Sequence, residues 1–177
     1  MGNIRTAGKV KLITGLISND TELFDKAKLL LEKRFKNKID FESTIIDFSY
    51  TDYYNKEMGI NLKRKFLSFK KLVSLKNIEK MKLVSNKIED KFSLNNKRAI
   101  NIDPGYLDLA KLVLFSTKDY SHRMHVGNNI YAEVTLHFMG EKFNAWPWTY
   151  PDYRTDEYIS IFNSIRERYK NEIKGNR

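Results

Sequence analysis

Between Lys9 and Ile17 the apolar positions Val10, Leu12, Ile13, Leu16 and Ile17 crowd together, several of them β-branched, and predict a short buried strand. Asn19 followed by Glu22 has the spacing of a helix cap and its reciprocal acid, and Leu23, Phe24, Ala27, Leu30 and Leu31 then recur at helical spacing to Phe35. Residues 41–50 alternate, with Ser43, Ile45 and Asp47 in one register and Thr44, Ile46 and Phe48 in the other, as a strand requires. The stretch 61–73 fits a helical stripe through Leu62, Phe66, Phe69 and Val73, but it is short and basic, and we assign it as a strand. Asn77 then stands as a cap before Ile78, Met81, Val84, Ile88 and Phe92, a stripe of nearly regular helical spacing.

Residues 99–102 make another short strand, and Asp103-Pro104-Gly105-Tyr106 places Pro and Gly where a type II turn needs them. Residues 112–116 predict a strand. Residues 122–126 and 130–139 flank Gly127-Asn128-Asn129, residue types that tolerate positive φ, and together predict a hairpin. A third strand follows over 141–146 after a turn at Gly140. Thr155 caps a last helix with Asp156 and Glu157 in its first turn and Tyr158, Phe162, Ile165, Tyr169 and Ile173 on one face. The first hundred residues thus run βαββαβ, so the expected class is α+β: a split-βαβ (ferredoxin-like) N-terminal part, an antiparallel strand extension and a C-terminal helix. No repeat or linker divides the chain, and residues 1–177 read as a single domain.

Composition narrows the chemistry. With 41% hydrophobic and 13% aromatic residues, three prolines and eight glycines, the chain is a folded domain rather than a disordered or fibrous one. It has no cysteine, which excludes disulfides, thiolate-bound zinc, iron–sulfur clusters and thiol nucleophiles. The stretch Met1 to Arg5 lacks the apolar core of a secretory leader and no run reaches membrane-spanning length, so the expected place is the cytoplasm with no membrane partner. A formal charge of +10 favours anionic partners, RNA among them, although the lysine excess accompanied by many Asn and Ile is also a plain compositional habit.

Neither a P-loop nor a Gly-x-Gly-x-x-Gly fingerprint occurs; Asn37-Lys38-Ile39-Asp40 matches a guanine-recognition tetrapeptide but has no phosphate loop upstream and reads as a turn. The chemistry concentrates between Asn101 and Arg154. Lys118-Asp119-Tyr120-Ser121-His122-Arg123 gathers two cations, an acid, a phenol, a hydroxyl and an imidazole between two strands. There Arg123 is suited to grip a phosphate, Lys118 to add charge, Tyr120 to contact a ligand and His122 to act as acid or base. Alternation on the strand 130–139 puts Tyr131, Glu133, Thr135 and His137 opposite an apolar set that must face the core. Glu133 and His137 with His122 would suit a metal, except that an i, i+4 pair on a straight strand spans about 13 Å. Trp146 to Arg154 carries four aromatics and two prolines in nine residues, outside any regular structure, with Trp148 and Tyr150 as a stacking surface and Arg154 as a further cation. Residues 62–71 form the strongest basic patch, around Phe66 and Phe69.

In order along the chain, Lys9 to Ser18, Thr51-Asp52-Tyr53-Tyr54, Lys56-Glu57-Met58-Gly59, Phe66-Leu67-Ser68-Phe69, Asn101 to Tyr106, Lys118 to Arg123 and Trp148 to Arg154 resemble the prokaryotic domain-of-unknown-function family numbered 4416. The resemblance covers nearly the whole chain and implies no established activity and no functional residue. The leading expectation is a phosphate-containing small ligand, a nucleotide or an RNA-derived group, with hydrolase or transferase chemistry at Asp103, His122 and Glu133 and ligand contacts from Lys118, Tyr120, Arg123, Trp148, Tyr150 and Arg154. Two alternatives stand beside it: a non-catalytic protein binding RNA or an acidic partner through Lys63, Arg64, Lys65, Lys70 and Lys71, and a metal-dependent hydrolase on His122, Glu133 and His137.

Overall fold

The strand and helix periods read above are realised as a sheet with helices on both faces. The computed structural model describes Asn3, residues 6–95 and residues 97–175. Met1, Gly2, Ile4 and Arg5 of the stretch read for a leader lie outside the described residues. In chain order the elements are β1 (Lys11–Ser18), α1 (Glu22–Phe35), β2 (Ile39–Glu42), β3 (Ile46–Asp47), α2 (Asn55–Met58), β4 (Lys63–Phe69) and α3 (Lys80–Lys91). They continue with β5 (Asn101–Leu107), β6 (Lys111–Ser116), β7 (Met124–Gly127), β8 (Ile130–Met139), β9 (Lys142–Ala145), a 3-10 turn at Pro151–Arg154 and α4 (Asp156–Gly175). Among the described residues nine strands form one sheet in the order β2-β4-β1-β5-β6-β8-β7, with β3 also on β4 and β9 also on β8. Every pairing is antiparallel.

Alternation along β1 explains the layering. Leu12 and Leu16 point to one face, where Phe24, Ala27 and Leu31 of α1 and Ile88 of α3 close over them with Leu67 and Phe69 of β4. Ile13 points to the other, where Phe66, Leu107, Leu112 and Leu136 meet Tyr158, Phe162, Ile165 and Tyr169 of α4. Each such side chain, fully removed from water, contributes about 1.5–3 kcal/mol. Lys11 shares the α4 face; it is wholly buried, with its ammonium 2.5 Å from Asp40 Oδ2 and 2.5 Å from Glu172 Oε1, tying β1 to β2 and α4. Asn37, in the tetrapeptide read as a turn, donates to Lys71 O and accepts from Lys71 N, a backbone clamp.

Several local expectations are revised. Asp20 rather than Asn19 serves the start of α1, its Oδ1 accepting from Glu22 N at 2.9 Å. Asn77 takes φ 60° before α3, whose cap position is Glu79. The strand expected over 41–50 is broken into β2 and β3. Asp103-Pro104-Gly105-Tyr106 does not turn but runs straight through β5, because β1 pairs with it along its whole length, Ile17 to Lys11 against Asn101 to Leu107. Four residues of the aromatic segment at Pro151–Arg154 do form a regular 3-10 turn, started by a proline that fits its first position. The hairpin turns at Asn128 and Asn129, both at positive φ, and Thr155 Oγ1 accepts from Tyr158 N at 3.3 Å, as read.

The largest revision is in β8. Leu112 pairs with Leu136 but Val113 with Val134, so Thr135 is the extra residue of a bulge. Ile130, Ala132 and Val134 pack on the α3 side, whereas Leu136 joins the α4 core. The apolar set therefore divides between two faces, and Glu133 is buried rather than turned outward, only 3% exposed.

At Gly105 a Cβ would lie 2.2 Å from Val113 O, a backbone atom of β6 that cannot yield. Gly105→Ala should destabilise the protein by about 2–3 kcal/mol in urea unfolding; an unchanged midpoint would contradict this close approach.

Candidate functional site

β5 and β6 pair only from Gly105 to Leu107 and from Leu112 to Leu114. Pairing stops at Pro104, which has no N–H to offer a neighbouring strand. Beyond it β5 stays with β1 and β6 stays with β8, and the two halves of the sheet part. A cavity of about 430 Å³ occupies this crevice, within the size range of small-molecule sites. Arg64, Asn101, Asp103 and Asp152 lie on one side, Leu114 to Lys118, Arg123 and Glu133 on the other, and Tyr50, Tyr53, Tyr54, Tyr120 and Tyr150 also line it.

Arg64 is 2% exposed and holds the first side together. Its Nη2 donates to Asp152 Oδ2 at 3.2 Å and to Tyr153 Oη at 3.1 Å, and Nη1 lies 3.6 Å from Asp103 Oδ2. The rings of Phe66, Tyr153, Phe48 and Tyr158 surround the guanidinium at 5.0, 5.3, 5.5 and 5.9 Å. Nε and Nη1 complete no hydrogen bond, and the ring faces offer them π density instead. Gly15 on β1 makes the room, since a Cβ there would sit 3.1 Å from the Phe66 ring and 3.3 Å from Arg64 Nη1. Burial works against the Arg64 charge, but Tyr153, Asp152, Tyr158 and Asp103 outweigh it and raise the pKa further. Burial also lifts Asp152 above the ordinary carboxylate range, against the pull of Arg64.

Behind this wall Lys82 of α3 donates to Ile102 O at 2.8 Å and lies 3.5 Å from Asp103 and 3.6 Å from Glu89. Arg98 donates to Glu57 at 2.6 Å and to Asn101 at 3.0 Å, and Asn101 donates in turn to Asp103 at 2.7 Å. The segment 50–58 is thereby latched over the crevice.

The opposite wall is built on the bulge. Thr149 Oγ1 donates to Thr135 O at 2.6 Å and accepts from Trp146 N at 2.8 Å, which docks the Trp146–Tyr150 loop beside β8. Arg123 then joins three elements: Nε to Glu133 Oε2 at 2.8 Å, Nη1 to Ser116 Oγ at 2.9 Å and Nη2 to Tyr150 Oη at 3.2 Å. Desolvation works against its charge, but Glu133 and Tyr150 together outweigh it and raise the pKa. Tyr120 lies over the guanidinium at 4.6 Å. Lys118 donates to Tyr53 Oη at 2.7 Å and sits 3.9 Å above that ring, with no carboxylate in ion-pair range among the described residues.

Of the residues chosen from sequence, Asp103, Lys118, Tyr120, Arg123, Glu133 and Tyr150 converge on the cavity. His122 stands behind it, 3.2 Å from Glu133 Oε2, inside a file of rings from Tyr120 through His122, Trp148 and Trp146 to His137, with centroids 5.9, 6.1, 5.2 and 4.1 Å apart. Trp148 belongs to that file rather than to the cavity lining. Arg154 is turned away, donating to Thr149 O at 2.6 Å and Pro147 O at 2.7 Å. The bulge separates His137 from Glu133, and among the described residues no group of three His, Asp or Glu could hold a metal ion. In the basic patch, Phe66 and Phe69 are fully buried, Lys63 pairs with Asp47, and Lys65 pairs with Glu42 at 2.9 Å. Sequence reasoning passed over Lys82, Arg98 and Asp152 as site residues, placed Arg64 only in the basic patch, and read Tyr53 and Tyr54 only as family signature. The signal present was Arg64 in register with Phe66 on a strand, an in-facing position for a charge.

The family described as a domain of unknown function, DUF4416, matches residues 8–169, and the chain belongs to it. No curated protein and no solved structure matches the chain.

Burial raises the Glu89 carboxyl above its ordinary 4.5, with Lys82 opposing. A carboxyl whose folded pKa is raised favours the folded state most below its unfolded pKa, and that contribution is lost as pH rises. Glu89→Gln should therefore become progressively more stable relative to the parent from about pH 4 to about pH 8 in urea titrations. A difference that stays flat or falls would show that the lysine, not burial, governs this group.

Proposed function

We propose that this member of the DUF4416 family binds a phosphate-containing small ligand, a nucleotide or an RNA-derived group, in the crevice where β5 and β6 part, and that hydrolase or transferase chemistry takes place there. The observation that carries the reading is the convergence, on one cavity, of Lys118 and Arg123 with the exposed rings of Tyr53, Tyr120 and Tyr150. Cations answer phosphate oxygens and tyrosine faces answer a base. Glu133, oriented by Arg123 and Thr135 with His122 at its back, and Asp103 across the crevice are the acid–base groups of this reading.

The scaffold proposed for it is a split-βαβ (ferredoxin-like) half extended by β6 to β9. Support comes from the order β2-β4-β1-β5 and from α1 and α3 sharing one face. A prokaryotic cytoplasm is the proposed setting, on the cysteine-free composition and the family resemblance. The alternative of an RNA surface along residues 62–71 has less support, since Lys63 and Lys65 are engaged by acids and Arg64 is buried.

A thermal-unfolding screen against nucleotides, sugar phosphates and short RNAs tests the reading. A ligand at about a hundred times its dissociation constant adds about 2.7 kcal/mol, or roughly 5–10 °C for a chain of this length. Tyr120→Ala, which trims an exposed ring, should weaken that ligand by about 1–3 kcal/mol. A panel without any shift, or a shift indifferent to Tyr120, would reject the crevice as the binding site.

A further inference from the structure

The charge arrangement of the crevice also bears on how many phosphoryl groups the ligand carries. Among the described residues five cations line the cavity. Four of them already have a carboxylate at 2.6–3.5 Å. Withdrawing Arg64, Lys82 or Arg123 from its acid would leave a buried or part-buried carboxylate unpaired, at a cost of several kcal/mol, and Arg98 is already bonded to Glu57 at 2.6 Å. Lys118 differs. Tyr53 supports it from below through ring and hydroxyl, and its ammonium, with three donors, spends one on that hydroxyl. Two donors remain for an incoming anion.

We infer that the site takes a ligand with a single phosphoryl group, a phosphomonoester, anchored by Lys118; this rests on the ligand reading above. A phosphomonoester carries about −1.5 to −2 at neutral pH, a charge small enough for one uncommitted lysine to anchor. A triphosphate brings roughly twice that charge and, among the described residues, finds no second uncommitted cation on the lining. The organic part then lies along Tyr120 and Tyr150, residues that are 47% and 44% exposed.

Isothermal titration of the full chain with nucleoside monophosphates, their nucleosides, their triphosphates, ribose 5-phosphate and a 5′-phosphorylated trinucleotide tests this. At least one phosphomonoester should bind about tenfold or more tighter than both its unphosphorylated and its triphosphate counterparts. Lys118→Met should weaken it about ten- to a hundred-fold, the range of one charged hydrogen bond. Lys118→Arg should recover part of the loss, and Lys63→Met, outside the cavity, should change nothing. Preference for the trinucleotide would assign the phosphate to an RNA end, and preference for the mononucleotide to a free metabolite; both support the inference. Tighter binding of the triphosphate, or a monoester indifferent to Lys118→Met in a variant with an unchanged melting temperature, overturns it while leaving the ligand site standing. Failure of the whole panel to bind overturns the ligand reading as well.

Discussion

A single buried guanidinium organises this protein. Arg64 stands on a central strand at a position that alternation turns toward α4, where a bare charge would cost several kcal/mol. That cost is met only if Asp103 from β5, Asp152 and Tyr153 from the 3-10 turn, Tyr158 from α4 and Phe48 from the segment after β3 all arrive at their places. Each of those segments is thereby fixed relative to the sheet, and Phe48, Asp103, Asp152 and Tyr153 also line the crevice. Lys11, at the other end of the same face, repeats the device with Asp40 and Glu172.

Two departures from regular strand geometry convert the scaffold into a site. Pro104 ends the pairing of β5 with β6, and Gly105 lets the strands touch at the hinge of the opening. The bulge at Thr135 releases its carbonyl to Thr149 of the Trp146–Tyr150 loop and turns Leu136 to the α4 face and His137 away from Glu133, which meets Arg123 in the crevice. Bulges recur next to functional sites for this reason: they re-aim side chains without ending the strand. The file of rings from Tyr120 to His137 braces the outside of that wall.

The charges of the crevice are almost entirely paired with one another, which keeps its walls in place without a further charged group. A lining of unpaired cations would repel itself and loosen the walls, whereas ion pairs that cross from strand to helix to loop preorganise them. Lys118, supported by a phenol rather than a carboxylate, is the exception at the mouth.

The sequence by itself determined the helices α1, α3 and α4 and the hairpin at Asn128-Asn129, because each is written in residues within a turn or two of one another, and it determined the family and the α+β class through the order of such local segments along the chain. It also drew attention to residues 118–123, since polar groups in a short loop between strands are local information. Tertiary structure alone decided that Pro104-Gly105 would not turn, because a full-length partner in β1 outweighs the turn preference. It decided that Arg154 would be spent on backbone carbonyls, that His137 would part from Glu133, and that Arg64, read within a basic patch, would be the buried centre. For Arg64 the partners Asp152 and Tyr153 lie 88 and 89 positions away along the chain. A periodic pattern records which side of a strand a residue takes; what waits on that side is settled only when the sheet and α4 close around it.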